Sequence, residues 1–387
     1  MTSGSSYIQS SLKFCIVFFA QFFLLANGYA QLNNEAFYGQ FNEDSMENKQ
    51  FSVHVEHLNF LKNNEYFTKI ADGKTLFGYQ LIPKIYYQAH PKLRLEAGGF
   101  FWKDYGNKGF HQIEPIFTAR FMAGNNQVLM GTLDGGLQHN MIEPLFDFEN
   151  QLVRRLENGF QWKHQSKALK VDAWVDWRNM IYPNSSNQEE IVGGINLEPT
   201  LYQGKRTQLS LSFQGNVYHK GGQIDTSNLP LTTWFNGAAG LKLKTIPGNG
   251  IVLKHIEFQG YAVGFKDNSF KKALPFNNSA ALYFNISAKT QWFEIMASYW
   301  NSEGYTSFQG GTLYRSISSN VKNEGYNETS RQLLFIRLLK DWEILPNIWI
   351  TARVEPYFDL KNNFWEFSHG LYINYRGELW KSKSNNF

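Results

Sequence analysis

The 387-residue sequence contains one cysteine, Cys15, and that residue lies inside an apolar stretch near the N-terminus. Without a second thiol, a disulfide framework and Cys-based metal or thiolate chemistry are excluded from the rest of the chain. A strong charge of one sign is also lacking. The chain has 37 Lys and Arg against 33 Asp and Glu, a formal net charge of +4, too slight a bias for a nucleic-acid or polyanion binder. Beyond Ala30 no apolar run approaches the roughly 18 residues that a membrane-spanning helix needs. The signatures H-E-x-x-H and G-x-S-x-G and the phosphate-cradling P-loop are missing, and the nine histidines are scattered without ligand spacing. No cofactor, metal site or catalytic residue is therefore expected, and the chain is not expected to be an enzyme.

The first residues do carry a signal. Lys13 precedes the apolar run Phe14–Ala26, which only Gln21 interrupts, and Gly28, Tyr29 and Ala30 follow with small residues at the two positions a signal peptidase reads. Cleavage is expected near Ala30–Gln31. Cys15 lies within the apolar run, not after a lipobox, so lipid attachment is not expected. Export of a cysteine-free chain fits the outer membrane of a Gram-negative cell.

Most of the remaining sequence alternates apolar and polar residues in long segments. In Thr207–Tyr218 Leu209, Leu211, Phe213, Gly215 and Val217 share one face; in Ala168–Arg178 Leu169, Val171, Ala173, Val175 and Trp177 oppose Lys170, Asp172, Trp174, Asp176 and Arg178. Period two predicts strands, and about 16 of them fit, beginning with a weak one at Phe51–Leu61. Many run longer than the usual 5–6 residues of soluble sheets, and about 9–11 tilted residues cross a bilayer. Short connections, such as Gly124–Asn126 and Ala288–Thr290, alternate with long polar ones, such as Gly136–Asn158 and Asn301–Ser330. Sorting of loops by length in alternation is the layout of a closed transmembrane barrel with short periplasmic turns and long outer loops. The predicted fold is all-β, a closed antiparallel up-and-down barrel over residues 51–376. A signal peptide (1–30) and a polar lead-in (31–50) precede it, and a polar tail (377–387) follows. An aromatic content of 17% suits a lipid-facing surface with interfacial girdles.

The opposite phase of the strands predicts a lumen lined by Arg94, Glu96, Glu114, Arg120, Lys170, Asp172, Trp174, Asp176, Arg178, His255, Glu257, Glu294, Arg337, Arg353, Glu355 and Glu366. Both signs occur there in similar number. They predict cross-strand ion pairs, or else a track for a neutral or zwitterionic solute flanked by Trp102, Trp174, Trp292, Trp300 and Trp349; a ring of one charge would have marked an ion-selective pore. Ser368 and His369 are neighbours and point to opposite faces, which argues against a serine–histidine pair. In Glu143–Asn158, Leu145, Phe148, Leu152 and Leu156 recur at helical spacing, with Pro144 in the first turn and Arg154 and Arg155 late. That helix either folds into the barrel mouth or caps its rim.

The chain resembles the porin-like outer-membrane β-barrels of Gram-negative bacteria, most of all uncharacterised barrels of the Bacteroidota. The resemblance covers about Phe51–Arg376 and includes NEYFTKIADGKTLFGY (Asn64–Tyr79) and WVDWR (Trp174–Arg178). It implies location in the outer membrane, contact with its lipid and with the assembly machinery, and a passive channel for small polar solutes or saccharides. Two other functions fit the composition: a surface binding or adhesion barrel acting through its loops, and a soluble secreted carbohydrate-binding β-protein. The terminal aromatic Phe387 follows a polar stretch, so the last strand either ends before it or runs further than residue 376.

Overall fold

A computed structural model describes residues 32, 34–38, 46–248 and 252–383. The expected signal peptide lies outside them. Strands form wherever the period of two persists: β1 (Phe51–Glu65), β2 (Lys74–His90), β3 (Leu93–Asp104), β4 (Gln112–Ala123), β5 (Asn126–Thr132), β6 (Asn158–Gln165), β7 (Leu169–Asn179) and β8 (Glu189–Gln203). The second half follows with β9 (Thr207–Gly221), β10 (Thr232–Thr245), β11 (Leu253–Asp267), β12 (Asn278–Thr290), β13 (Glu294–Glu303), β14 (Ser330–Leu345), β15 (Ile348–Asp359) and β16 (Phe364–Lys381). Each strand pairs antiparallel with its neighbour in sequence, and β16 pairs with β1 to close the barrel. Closure leaves no sheet edge unpaired, the condition a sheet must meet in hydrocarbon.

The two faces separate as the alternation requires. On β14 Arg331, Leu333, Phe335, Arg337 and Leu339 are buried inside, whereas Leu334, Ile336 and Leu338 are exposed outside. Phe117 and Phe121 of β4, and Leu282 and Phe284 of β12, are likewise exposed on the outer wall. A surface this apolar is stable only against lipid.

The last strand takes the longer of its two possible forms. β16 continues through Gly377 to Lys381, which pairs with Ser52. β1 also runs past Leu61 to Glu65, and β2 begins at Lys74. Helix in the 143–158 segment is confined to one turn, Asn150–Val153.

The space enclosed by the barrel is filled. β5 and β6 are the shortest strands, 7 and 8 residues, because the chain leaves the wall after Thr132 and turns into the lumen. Gly136 makes that turn with φ +65, a conformation that favours glycine; a Cβ there would also meet Gln151 Oε1 at 2.7 Å. The inward segment then reaches across the barrel. Gln80 of β2 donates to the carbonyls of Gln151 and Leu152 at 3.3 and 2.7 Å. On the far wall Gln214 of β9 accepts from Ile142 N at 2.8 Å, and Asn216 donates to Leu145 O at 3.0 Å. A second inward segment joins it, with Tyr305 donating to Pro144 O at 2.7 Å and Asp147 N donating to Gln309 O at 2.9 Å.

The lead-in also enters the lumen: Phe37 packs edge-on against Phe148 and Tyr372 at 5.1 and 5.0 Å, and Asn34 accepts from Arg353 at 3.0 Å. Sixteen strands alone would enclose a water-filled channel. Here the inward segments occupy that space, and two of the cavities left among them, about 30 and 50 Å³, have room for a few waters each.

Candidate active site

Of the inner-phase positions, Arg94, Glu96, Arg120, Asp172, Trp174, Asp176, Glu257, Glu294, Arg337, Arg353 and Glu366 lie buried in the barrel. Glu114, Arg178, His255 and Glu355 are half-buried, and Lys170 is exposed at the short-turn end. Trp102, Trp174 and Trp300 are buried inside, whereas Trp292 sits exposed in the turn between β12 and β13. The charged residues pair extensively. Glu96 accepts from Arg94 and Arg120 at 3.1 and 2.8 Å, and Arg120 also clasps Asp134 through both terminal nitrogens at 2.7 and 2.8 Å. Glu143, carried by the inward segment, binds Arg337 and accepts from Tyr314 at 2.9 Å.

The inward segment is also attached through a histidine that the sequence did not single out. His139 stacks on Trp174 at 3.5 Å and places both ring nitrogens against carboxylates, Asp172 and Glu157, each at 2.8 Å. An imidazole serves two carboxylates as a donor only when doubly protonated. Burial works against that charge, but Glu157 and then Asp172 outweigh it and push the His139 pKa up to about 10. The charge holds Glu157, despite its burial, below the usual carboxylate range. A histidine so charged cannot serve as a base near neutrality; it is a bolt for the plug.

Its contribution is complete below the ordinary histidine value of 6.5 and is lost as pH rises through about 10. The protection of the amides in residues 136–157, taken relative to the intrinsic exchange rate at each pH, is therefore expected to fall across that window. In Asp172→Asn, with one carboxylate left on the imidazole, the fall is expected at lower pH. Unchanged protection in both cases would remove the bolt.

The other concentration of chemistry is on the outside. On β1 both phases are polar near the long-loop end: Lys62 and Asn64 point inward, and Asn59, Asn63 and Glu65 outward. Register places His369 of β16 opposite Asn63, and Asn63 opposite Thr75 of β2. Directly opposed residues have Cβ atoms about 4.5–5.5 Å apart, so the three form a row across three strands. Thr75 Oγ1 donates to Asn63 Oδ1 at 2.8 Å, and Asn63 Nδ2 donates to Glu65 Oε1. Below this row Tyr105 donates to Asn59 Oδ1 at 2.8 Å, and Tyr79 stands opposite Lys103. Phe77 and Tyr105, 4.6 Å apart between ring centroids, flank the patch with apolar surface.

A hydroxyl, an amide, a carboxylate and an imidazole thus adjoin one another on the outer wall, with Asn59, Tyr79, Lys103 and Tyr105 below them. A first strand expected to end at Leu61 leaves Asn63 and Glu65 outside the sheet. The signal that could have found them is the loss of alternation after Leu58, where Asn59, Lys62, Asn63, Asn64 and Glu65 put polarity on both phases.

These features define an outer-membrane β-barrel of 16 antiparallel strands with porin-like architecture. Its fold resembles OprD of Pseudomonas aeruginosa (TM-score 0.51, 11% identity, 92% of this chain and 98% of that one). It also resembles Pseudomonas aeruginosa OpdL (TM-score 0.51, 12% identity, 85% and 99%) and a loop-deleted OmpT of Vibrio cholerae (TM-score 0.51, 10% identity, 85% and 100%). No curated relative matches the chain.

Within that class the chain belongs to the lipid A 3'-O-deacylase-type family, whose model matches residues 42–382. This overturns the expectation that the chain is not an enzyme: the family's name is that of a hydrolase. The polar row itself is assembled from three strands, with β16 meeting β1 only through barrel closure.

Proposed function

We propose that the protein hydrolyses an ester-linked acyl chain of an outer-leaflet glycolipid of the lipid A type, at the outer-wall row. The observation that carries this is the line His369–Asn63–Thr75 with Glu65, open to lipid near the long-loop end of the barrel. A membrane lipid reaches this face by lateral diffusion, with its acyl chains along the aromatic wall below the row and its headgroup toward the long loops.

His369, exposed, takes a proton from the attacking water. On substrate binding the Thr75 hydroxyl turns its one proton from Asn63 Oδ1 to the oxygen of the ester carbonyl, while Glu65 holds the Asn63 amide. Water adds to the acyl carbon, the ester C–O bond breaks, and the proton held by His369 goes to the departing alkoxide. The products are a fatty acid and a glycolipid with one free hydroxyl.

The test is the folded barrel in vesicles containing lipid A, with acyl loss followed by mass spectrometry. Activity is expected to fall about 10²–10⁴-fold in His369→Ala with heat-modifiable gel migration unchanged. A parent protein that releases no fatty acid would end this reading. A passive channel is the second reading, favoured by the polar inner wall, and it requires the plug to move.

A further inference from the structure

We propose that Glu366, on the inner face of β16, is a positioning residue for the outer-wall site; this rests on the hydrolase reading above. Asn63 and Glu65 lie at the end of β1 and Thr75 at the start of β2, so the 66–73 loop sets how the two strand ends meet. The loop's exit is close-packed: a Cβ on Gly73 would meet Tyr66 O at 2.6 Å.

At the loop's entrance Phe67 is 83% exposed, whereas the Tyr66 ring packs edge-on against Tyr357 at 5.7 Å between centroids. Beside that contact Glu366, which is buried, accepts the Phe67 backbone N–H at 2.7 Å through Oε1, while Tyr357 donates its hydroxyl to Oε2. From above, the 304–329 segment completes the clamp. Ser318 donates to Lys69 O at 2.6 Å, Ser319 N to Ile70 O at 2.8 Å, and Asn320 Nδ2 to Thr68 O at 3.1 Å.

The loop is thus tied on its lumenal and upper sides, and its outer flank is the one that borders the polar row. Three residues beyond Glu366 the same strand presents His369 outward. One rigid strand therefore carries the base on one face and, on the other, the anchor of the hairpin that bears Asn63 and Thr75. Loosening the anchor shifts the row relative to the base without touching substrate.

The experiment compares the full-length parent with Glu366→Ala, Glu366→Gln and Tyr357→Phe in lipid A vesicles. It measures kcat and KM for fatty-acid release, together with the NMR signals of the Asn63 side-chain amide. Glu366→Ala is expected to lower kcat about 10-fold or more with KM within about two-fold, as for a loss of alignment rather than of substrate contact. It is also expected to move the Asn63 signals. Glu366→Gln, whose carbonyl still accepts the Phe67 N–H, is expected to restore most of the rate. Unmoved Asn63 signals in Glu366→Ala, or a Gln variant as impaired as Ala, would overturn the proposal. Should Glu366→Ala fail to fold, Tyr357→Phe decides, because stripping one of the carboxylate's donors must still move the Asn63 signals. A parent that releases no fatty acid removes the hydrolase reading, and the Asn63 signals then report on the anchor alone.

Discussion

Replacing residues 136–156 by a short Gly-Ser turn is expected to turn a silent barrel into a conducting one in planar bilayers. The wall should survive the deletion, because Thr132 and Asn158 are already register partners at the ends of β5 and β6 and a tight turn can join them. What is lost is the material that crosses the lumen: Met141, Ile142, Leu145, Phe146, Phe148 and Leu152, all buried, and the bolt of His139 between Asp172 and Glu157. The charged inner wall that this segment covers would then meet water, and 16 strands are wide enough for an aqueous channel. The variant is expected to show clear conductance steps where the parent shows none. A parent with steps as large as those of the variant would mean that solutes already pass the plug, and would favour the channel reading.

The second large effect is on the lipid face. Ala173→Arg on β7 is expected to cost about 2–4 kcal/mol of barrel stability, the penalty for a guanidinium facing hydrocarbon near the midplane. Ala173 stands between Trp162 of β6 and Ile195 of β8, both exposed outward, so the new side chain has no polar partner across either strand. One residue away the wall reverses: Asp172 and Asp176 are buried inside, and Asp176 accepts from Asn158 N at 2.9 Å and Arg178 Nε at 3.0 Å. Asp176→Asn is expected to retain an acceptor for the Asn158 N–H and to leave the barrel folded. Heat-modifiable migration over a urea series measures both. Ala173→Arg folding as well as the parent, with Asp176→Asn unfolded, would invert the assignment of faces.

The sequence by itself determined the wall. Alternation along segments such as Ala168–Arg178 is a local property of a pleated chain, and strand length and loop length are counted directly, so the all-β barrel, its strand number and its apolar exterior could be read from residues alone. The inner phase was legible for the same reason, down to Glu96 and Arg120, since a side-chain period of two leaves only two faces to choose from. Tertiary structure decided what fills the barrel and what the outer wall carries. The four apolar residues between Leu145 and Leu156 read as one helix, but their burial is satisfied by packing against Phe37, Tyr372 and other residues far away in sequence, so only Asn150–Val153 is helical. His139 keeps its charge through Glu157 and Asp172, which the chain reaches only after a turn into the lumen and back. The row of His369, Asn63 and Thr75 exists because β16 closes on β1. A histidine near the C-terminus and an asparagine near the N-terminus share a surface only when the sheet is a cylinder, and no local pattern encodes which residues that final pairing brings together.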